Sequence, residues 1–137
     1  MRTLDDIYDE FELLDRDDRY RLLIDLGRSL ESMPESLKTD STRVSGCLSQ
    51  VWVYPIETED RRLHYLADSN TDITKGIIAL VLMVIQDRPA REIADTDITE
   101  VLDRFNLKKQ LSPNRTQGLP NMIALVREHA ARIAAAG

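Results

Sequence analysis

A chain of 137 residues, 42% hydrophobic and 31% charged, is about one globular domain and buries a core without a metal or disulfide staple. Its single cysteine excludes an internal disulfide and any zinc or cluster site built on several thiolates. A net charge of −6 argues against nucleic acid as the main partner. In chain order, Leu4, Ile7, Phe11 and Leu14 recur at helical spacing over 3–14, with Thr3 and Asp6 forming a capping-box pattern. Asp15 is the candidate cap of a second helix over about 17–30, with Leu22, Leu23, Leu26 and Leu30 as its apolar stripe. Pro34 and its polar neighbours break the pattern from 32 to 41.

Strand signals follow. Arg43-Val44 reads as a short strand ahead of Gly46, residues 49–54 are rich in β-branched and aromatic side chains, and residues 57–60 make a polar turn. Residues 62–67 read as the returning strand of a small antiparallel meander. A helix over about 73–86, apolar all round, is the expected central core element. Pro89 fits the first position of a short helix ending near Ile93; another helix covers about 98–105, and the last covers about 117–136 with Pro120 in its first turn. Strands flanked by runs of helices predict an α+β fold, with one domain over 1–137. The longest nearly uncharged run, residues 76–86, is far short of the ~20 needed to span a bilayer. No apolar signal core follows Met1, so the expected compartment is the cytoplasm, with no membrane partner. Residues 1–40 carry 12 acids and 6 bases, whereas 101–137 carry 2 acids and 6 bases. That polarity reads either as solvated helix faces or as a surface that orients a protein partner.

The chemical focus is Cys47. Gly46 permits a sharp turn before it, and a stiff aromatic strand follows, so the thiol sits at a loop tip on a rigid scaffold. A small buried hydrophobe is the competing reading. His64 and His129 are the only histidines; sequence leaves a Cys–His dyad open, each reads better as an ordinary surface or half-buried residue, and no short ligand spacing joins the two. No Gly-rich phosphate loop, Ser nucleophile elbow or catalytic carboxylate pair is present, and no metal site is expected.

Residues 45–53, Ser-Gly-Cys-Leu-Ser-Gln-Val-Trp-Val, resemble the cysteine loop of the SufE family of sulfur-acceptor proteins, G-C-x-S-Q-V-W followed by an aliphatic residue. Residues 111–119, Leu-Ser-Pro-Asn-Arg-Thr-Gln-Gly-Leu, are similar to the family's S/T-P-S-R-S-Q-G-L segment. Asp68-Ser69 followed by Lys75-Gly76-Ile77-Ile78-Ala79 resembles the stretch that opens its central helix, although Asn70-Thr71-Asp72 differs from the usual D-A-x. The resemblance runs from about Asp5 to the C-terminus. It implies a SufE/IscU-like fold, a small three-stranded antiparallel sheet packed against several helices. It further implies that Cys47 accepts persulfide sulfur from a SufS- or CsdA-like cysteine desulfurase and stimulates that enzyme. The sulfur then passes toward an iron–sulfur scaffold or another acceptor. The chain would then be no independent enzyme and need no cofactor, the pyridoxal phosphate belonging to the desulfurase. Arg115 and Gln50 match the family's arginine and glutamine near the cysteine, and Gly46 is a candidate hinge. One cysteine cannot hold a cluster, which takes about three thiolates and a further ligand. A monomer or weak homodimer is expected. The alternative is a thiol-based redox enzyme or sensor that forms a sulfenic acid on Cys47. A third reading is an inert adaptor.

Overall fold

Two capped helices open the chain in the computed structural model, which describes residues 2–47, 49–111 and 116–136. Helix α1 spans Leu4–Leu13. The Asp6 N–H donates to the Thr3 hydroxyl at 3.1 Å and the Thr3 N–H donates to the Asp6 carboxylate at 2.9 Å, so both halves of the capping box form. Helix α2 spans Arg16–Arg28, and Asp15 caps it by accepting from the Asp18 N–H. The predicted stripes are the buried faces: Ile7 and Phe11 on α1, and Leu22, Leu23 and Leu26 on α2.

The sheet has the order β1-β2-β3. Strand β1 (Val51–Glu57) pairs antiparallel with β2 (Arg62–Ser69), from Val51 opposite Ser69 to Glu57 opposite Leu63. Val51, Val53, Leu63, Tyr65 and Ala67 face the core at period two. The third strand differs from the one expected. It is β3, Arg88–Pro89, paired with Arg62 and Leu63 on the far side of β2. Residues 43–44 make only an isolated bridge, Arg43 opposite Trp52, on the free edge of β1. Two backbone bonds hold it, Val44 N–H to the Val51 carbonyl at 2.8 Å and Val53 N–H to the Thr42 carbonyl at 2.9 Å. The pairing stops there because the next outward position on β1 is Pro55, which has no N–H to donate. Beyond the two residues of β3, the Gln86 side chain continues the ladder. Its Oε1 accepts from the Tyr65 N–H at 2.7 Å and its Nε2 donates to the Tyr65 carbonyl at 2.8 Å.

Helix α3 (Asp72–Ile85) is buried on nearly every face, as its sequence predicts. Helix α4 spans Ala90–Asp95, so Pro89 is its cap rather than its first residue, because Pro89 still belongs to β3. The helix expected over 98–105 is divided into α5 (Ile98–Leu102) and a 3-10 turn (Asp103–Phe105), closed by Asn106 at φ 52°. A short helix α6 (Leu107–Gln110), not foreseen, follows. Helix α7 (Leu119–Ala136) packs on α4, and the Arg127 guanidinium donates to the Ala94 carbonyl at the end of that helix. No helix among the described residues is long and apolar enough to cross a membrane.

Helices α2 and α3 cross at Gly27 and Gly76. A Cβ on Gly76 would lie 2.1 Å from the Leu23 carbonyl oxygen, and one on Gly27 would lie 2.7 Å from the Gly76 nitrogen. Replacing glycine by alanine inside a helix ordinarily stabilises it by up to about 1 kcal/mol. Here the obstacle is backbone, which cannot swing aside, and overpacking of about 1–3 kcal/mol outweighs the gain. Gly76→Ala is therefore expected to lower the urea midpoint of unfolding; an unchanged or raised midpoint would show that the helices can move apart freely.

Candidate functional site around Cys47

Cys47 lies on the loop that joins the Arg43 bridge to β1, and it is held from two sides. On the strand side, the Gln50 N–H donates to the Asn70 side-chain oxygen at 3.0 Å, and the Asn70 N–H returns a bond to the Gln50 carbonyl at 3.3 Å. The Thr71 hydroxyl donates to the Ser49 hydroxyl at 2.5 Å. Thr71 stands at the cap position of α3 but makes no side-chain cap bond; its hydroxyl serves the cysteine loop instead. On the helix side, the Asn121 side-chain amide donates to the Ser45 carbonyl at 2.9 Å, and the Gln117 amide donates to the Gly46 carbonyl at 3.1 Å. Gly46 has φ 81°, which favours glycine, and a Cβ there would come within 2.2 Å of the Asn121 amide nitrogen and displace that side chain from its bond to Ser45.

The sulfur itself is pressed against Gly118. A Cβ at 118 would sit 2.2 Å from Cys47 Sγ, and the thiol points at the Gly118 carbonyl at 3.7 Å. Cys47 is half-buried against the edge of the core. Burial pushes its thiol pKa above the ordinary value, and the Arg43 charge partly opposes that rise. The free thiol is therefore protonated near neutral pH and a poor nucleophile while the loop is docked.

Upstream, Lys38 fixes the segment that feeds the loop. Its ammonium lies 2.8 Å from Asp68 and 2.9 Å from Glu35, and 5.5 Å from the centre of the Trp52 ring. The Asp68 and Glu35 carboxylates raise the Lys38 pKa against the effect of its burial. Thr42 adds a hydroxyl bond to the Leu37 carbonyl at 2.6 Å.

Neither histidine serves Cys47. His64 pairs with Ile56, five residues along the sheet from the Ser69–Val51 end, roughly 17 Å at strand rise. Its Nδ1 is 2.8 Å from Asp87 and its Nε2 is 2.8 Å from Glu31, so both ring nitrogens are engaged elsewhere. His129 lies eleven residues beyond Gly118, roughly 16 Å at helical rise, stacked on Tyr65. Burial, aided by Arg132, holds its pKa down, and its Nδ1 has no partner among the described residues. No group of three or more His, Cys, Asp or Glu among the described residues is arranged to hold a metal ion.

Of the residues singled out in the sequence, Gly46 and Cys47 stand together at the loop tip, and Gln50 stands at its exit. The Gln50 side chain is exposed, and only its backbone is clamped. Arg115 and Leu48 lie outside the described residues. Sequence reading missed Asn121, Gln117, Gly118, Asn70 and Arg43 as neighbours of the thiol. The glycine of the Gln117-Gly118 pair was the available signal, since a glycine ahead of a helix marks either a turn or a close approach.

Comparison with known proteins places these motifs in context. The family model SufE, described as an Fe-S metabolism associated domain, matches residues 5–130. A SufE-like protein of Rhizobium etli is 38% identical over 140 residues, covering 99% of this chain and 95% of that protein. The sulfur acceptor protein CsdE of Escherichia coli is 33% identical over 103 residues, covering 75% of this chain and 70% of that protein. The cysteine desulfuration protein SufE of Wigglesworthia glossinidia brevipalpis is 29% identical over 114 residues, covering 83% and 79%. The solution structure of a hypothetical protein from Thermus thermophilus matches 96% of both chains with a TM-score of 0.76 and 13% identity, a likeness of fold alone.

Two outcomes are expected from this geometry. Gly118→Ala displaces the sulfur and Asn121→Ala frees the Ser45 carbonyl, so each variant is alkylated by iodoacetamide faster than wild type at pH 7.5. Equal rates would show that these contacts do not shelter the thiol. His64 has its pKa raised, chiefly by Asp87 and also by Glu31. Its contribution to stability is complete below the unfolded value near 6.5 and is lost as pH rises through the higher folded value. Chemical denaturation between pH 6 and 8 should show that loss in wild type and not in His64→Gln.

Proposed function

The chain belongs to the SufE family of Fe-S metabolism proteins, and from that premise we propose that Cys47 accepts sulfane sulfur from a partner cysteine desulfurase and relays it toward iron–sulfur cluster assembly. The observation that carries the reading is the placement of the only cysteine: half-buried at a loop tip, and held by a few long-range side-chain bonds. The printed names of the CsdE and SufE relatives, a sulfur acceptor and a cysteine desulfuration protein, support the same chemistry.

The transfer is a thiol exchange. The Cys47 thiolate attacks the terminal sulfur of the donor's persulfide; a new sulfur–sulfur bond forms at Sγ and the donor's own sulfur–sulfur bond breaks. The donor cysteine leaves as a thiolate and takes up the proton that Cys47 gave up, so no electrons are gained or lost overall. The partner's pyridoxal phosphate performs the carbon–sulfur chemistry, and this chain carries sulfur only. Burial favours the protonated form of the docked thiol and so lowers its reactivity. Release needs little: two side-chain amide bonds, each worth about 1 kcal/mol net, hold the loop to the start of α7. Gly46, already at positive φ, is the hinge about which Cys47 turns toward the partner. Sulfenic-acid chemistry is a poorer fit, because redox-sensing cysteines are exposed and low in pKa, and burial pushes Cys47 the other way.

Incubating the protein with a cysteine desulfurase and L-cysteine, followed by intact mass spectrometry, tests the reading. Wild type is expected to gain one sulfur atom at Cys47, about +32 Da, removable by reductant, and to raise desulfurase turnover. Cys47→Ser should show neither effect. A wild-type chain that gains no mass in the presence of a turning-over desulfurase would refute it.

A further inference from the structure

A persulfide needs room for its outer sulfur. One flank of Cys47 Sγ is closed by Gly118. Beside the loop lies an open recess of about 370 Å³, lined by Asp40, Arg43, Val44, Ser45, Gly46 and Cys47. Among the described residues, Arg43 is the only cationic residue of that lining. Its backbone is fixed by the bridge to Trp52, with Thr42 and Val44 bonded to β1 on either side of it. Arg43 thus belongs to the sheet edge, while Gly46 and Cys47 are held, among the described residues, by Gln117 and Gly118 just ahead of α7. A guanidinium is weakly hydrated and diffuse in charge, which suits a large, polarisable sulfur anion. Asp40 lines the same recess with the opposite charge, and the two are not paired among the described residues.

We propose that the Arg43 guanidinium binds the terminal sulfur of the Cys47 persulfide in this recess and so draws sulfur onto the chain. The proposal rests on the sulfur-acceptor reading above and adds a residue that the sequence motifs did not mark. The exchange is the one already balanced, with Sγ–S bond formation matched by donor S–S cleavage. Arg43 acts on the product, whose outer sulfur is anionic once its proton has gone to solvent. Asp40 disfavours that same anion, so the two side chains act in opposite directions.

The test measures the fraction of chain carrying +32 Da at fixed desulfurase and L-cysteine, and the decay of that adduct after the donor is removed. Wild type, Arg43→Ala, Arg43→Lys and Asp40→Asn are compared at low and high salt. Arg43→Ala is expected to lower the loaded fraction and shorten the adduct lifetime by about threefold, the scale of a partly screened single charge. Arg43→Lys should restore most of the loss, Asp40→Asn should exceed wild type, and high salt should shrink the differences. Equal loading and lifetime for wild type and Arg43→Ala would overturn the role of Arg43, as would a loss that lysine does not rescue. If Arg43→Ala fails to fold, Arg43→Lys and Asp40→Asn still decide the sign, and an Asp40→Asn chain that loads no better than wild type counts against the proposal. Wild type that gains no sulfur at all overturns the acceptor reading itself, a result distinct from a wild type that loads and an Arg43 variant that loads equally.

Discussion

The crossing of α2 and α3 at Gly27 and Gly76 is the constraint on which the rest of the molecule depends. With no Cβ at either position, the two backbones approach to a distance that any other residue would forbid. That approach lets Leu22, Leu23 and Leu26 of one helix seal the side of the other, and it allows α3 to be apolar all round. A helix so completely covered fixes the layer on which the sheet, α1 and α5 are laid. Since burial of each large aliphatic side chain stabilises by about 1.5–3 kcal/mol, the position of α3 governs most of the core.

The thiol site is assembled from parts that this core holds apart in sequence. Asn70 and Thr71 lie where β2 passes into α3, and they pin the exit of the cysteine loop. Gln117, Gly118 and Asn121 lie where α7 begins, and they pin its tip. Lys38 and Thr42 tie down its entry. Anchors on the strand and entry sides are joined to the sheet. Among the described residues, the tip is held by two side-chain amide bonds and the contact of the thiol with Gly118, with no backbone pairing to the sheet.

Local chemistry made much of this legible in the sequence. The Thr3 capping box, the Asp15 cap and the uninterrupted apolar run of α3 depend on residues within a few positions of one another. Gly46 beside Cys47 announced a turn for the same reason. What stayed hidden depends on distance. Strand β3 is two residues, Arg88 and Pro89, with no strand pattern of their own; only pairing with Arg62 and Leu63 makes them a strand. The end of the 3-10 turn and the separate start of α6 follow from the left-handed conformation of Asn106, a residue that tolerates it but does not demand it. Asn121 reaches Ser45 across 76 positions, and Gln117 reaches Gly46 across 71. No periodicity reports such pairs. Arg43 looked like the start of a strand, and only the folded edge shows that it shares a recess with the thiol.

Pro55 carries a consequence beyond strand pairing. The outward N–H of Val53 is taken by Thr42, and the next outward position on β1 offers nitrogen without hydrogen. A foreign strand sliding along this border would find no continuous row of donors on which to crystallise. The rim of β1 that borders the cysteine loop is in this way blunted against strand-by-strand addition by a second copy, so the edge beside the thiol offers no ready seed for aggregation.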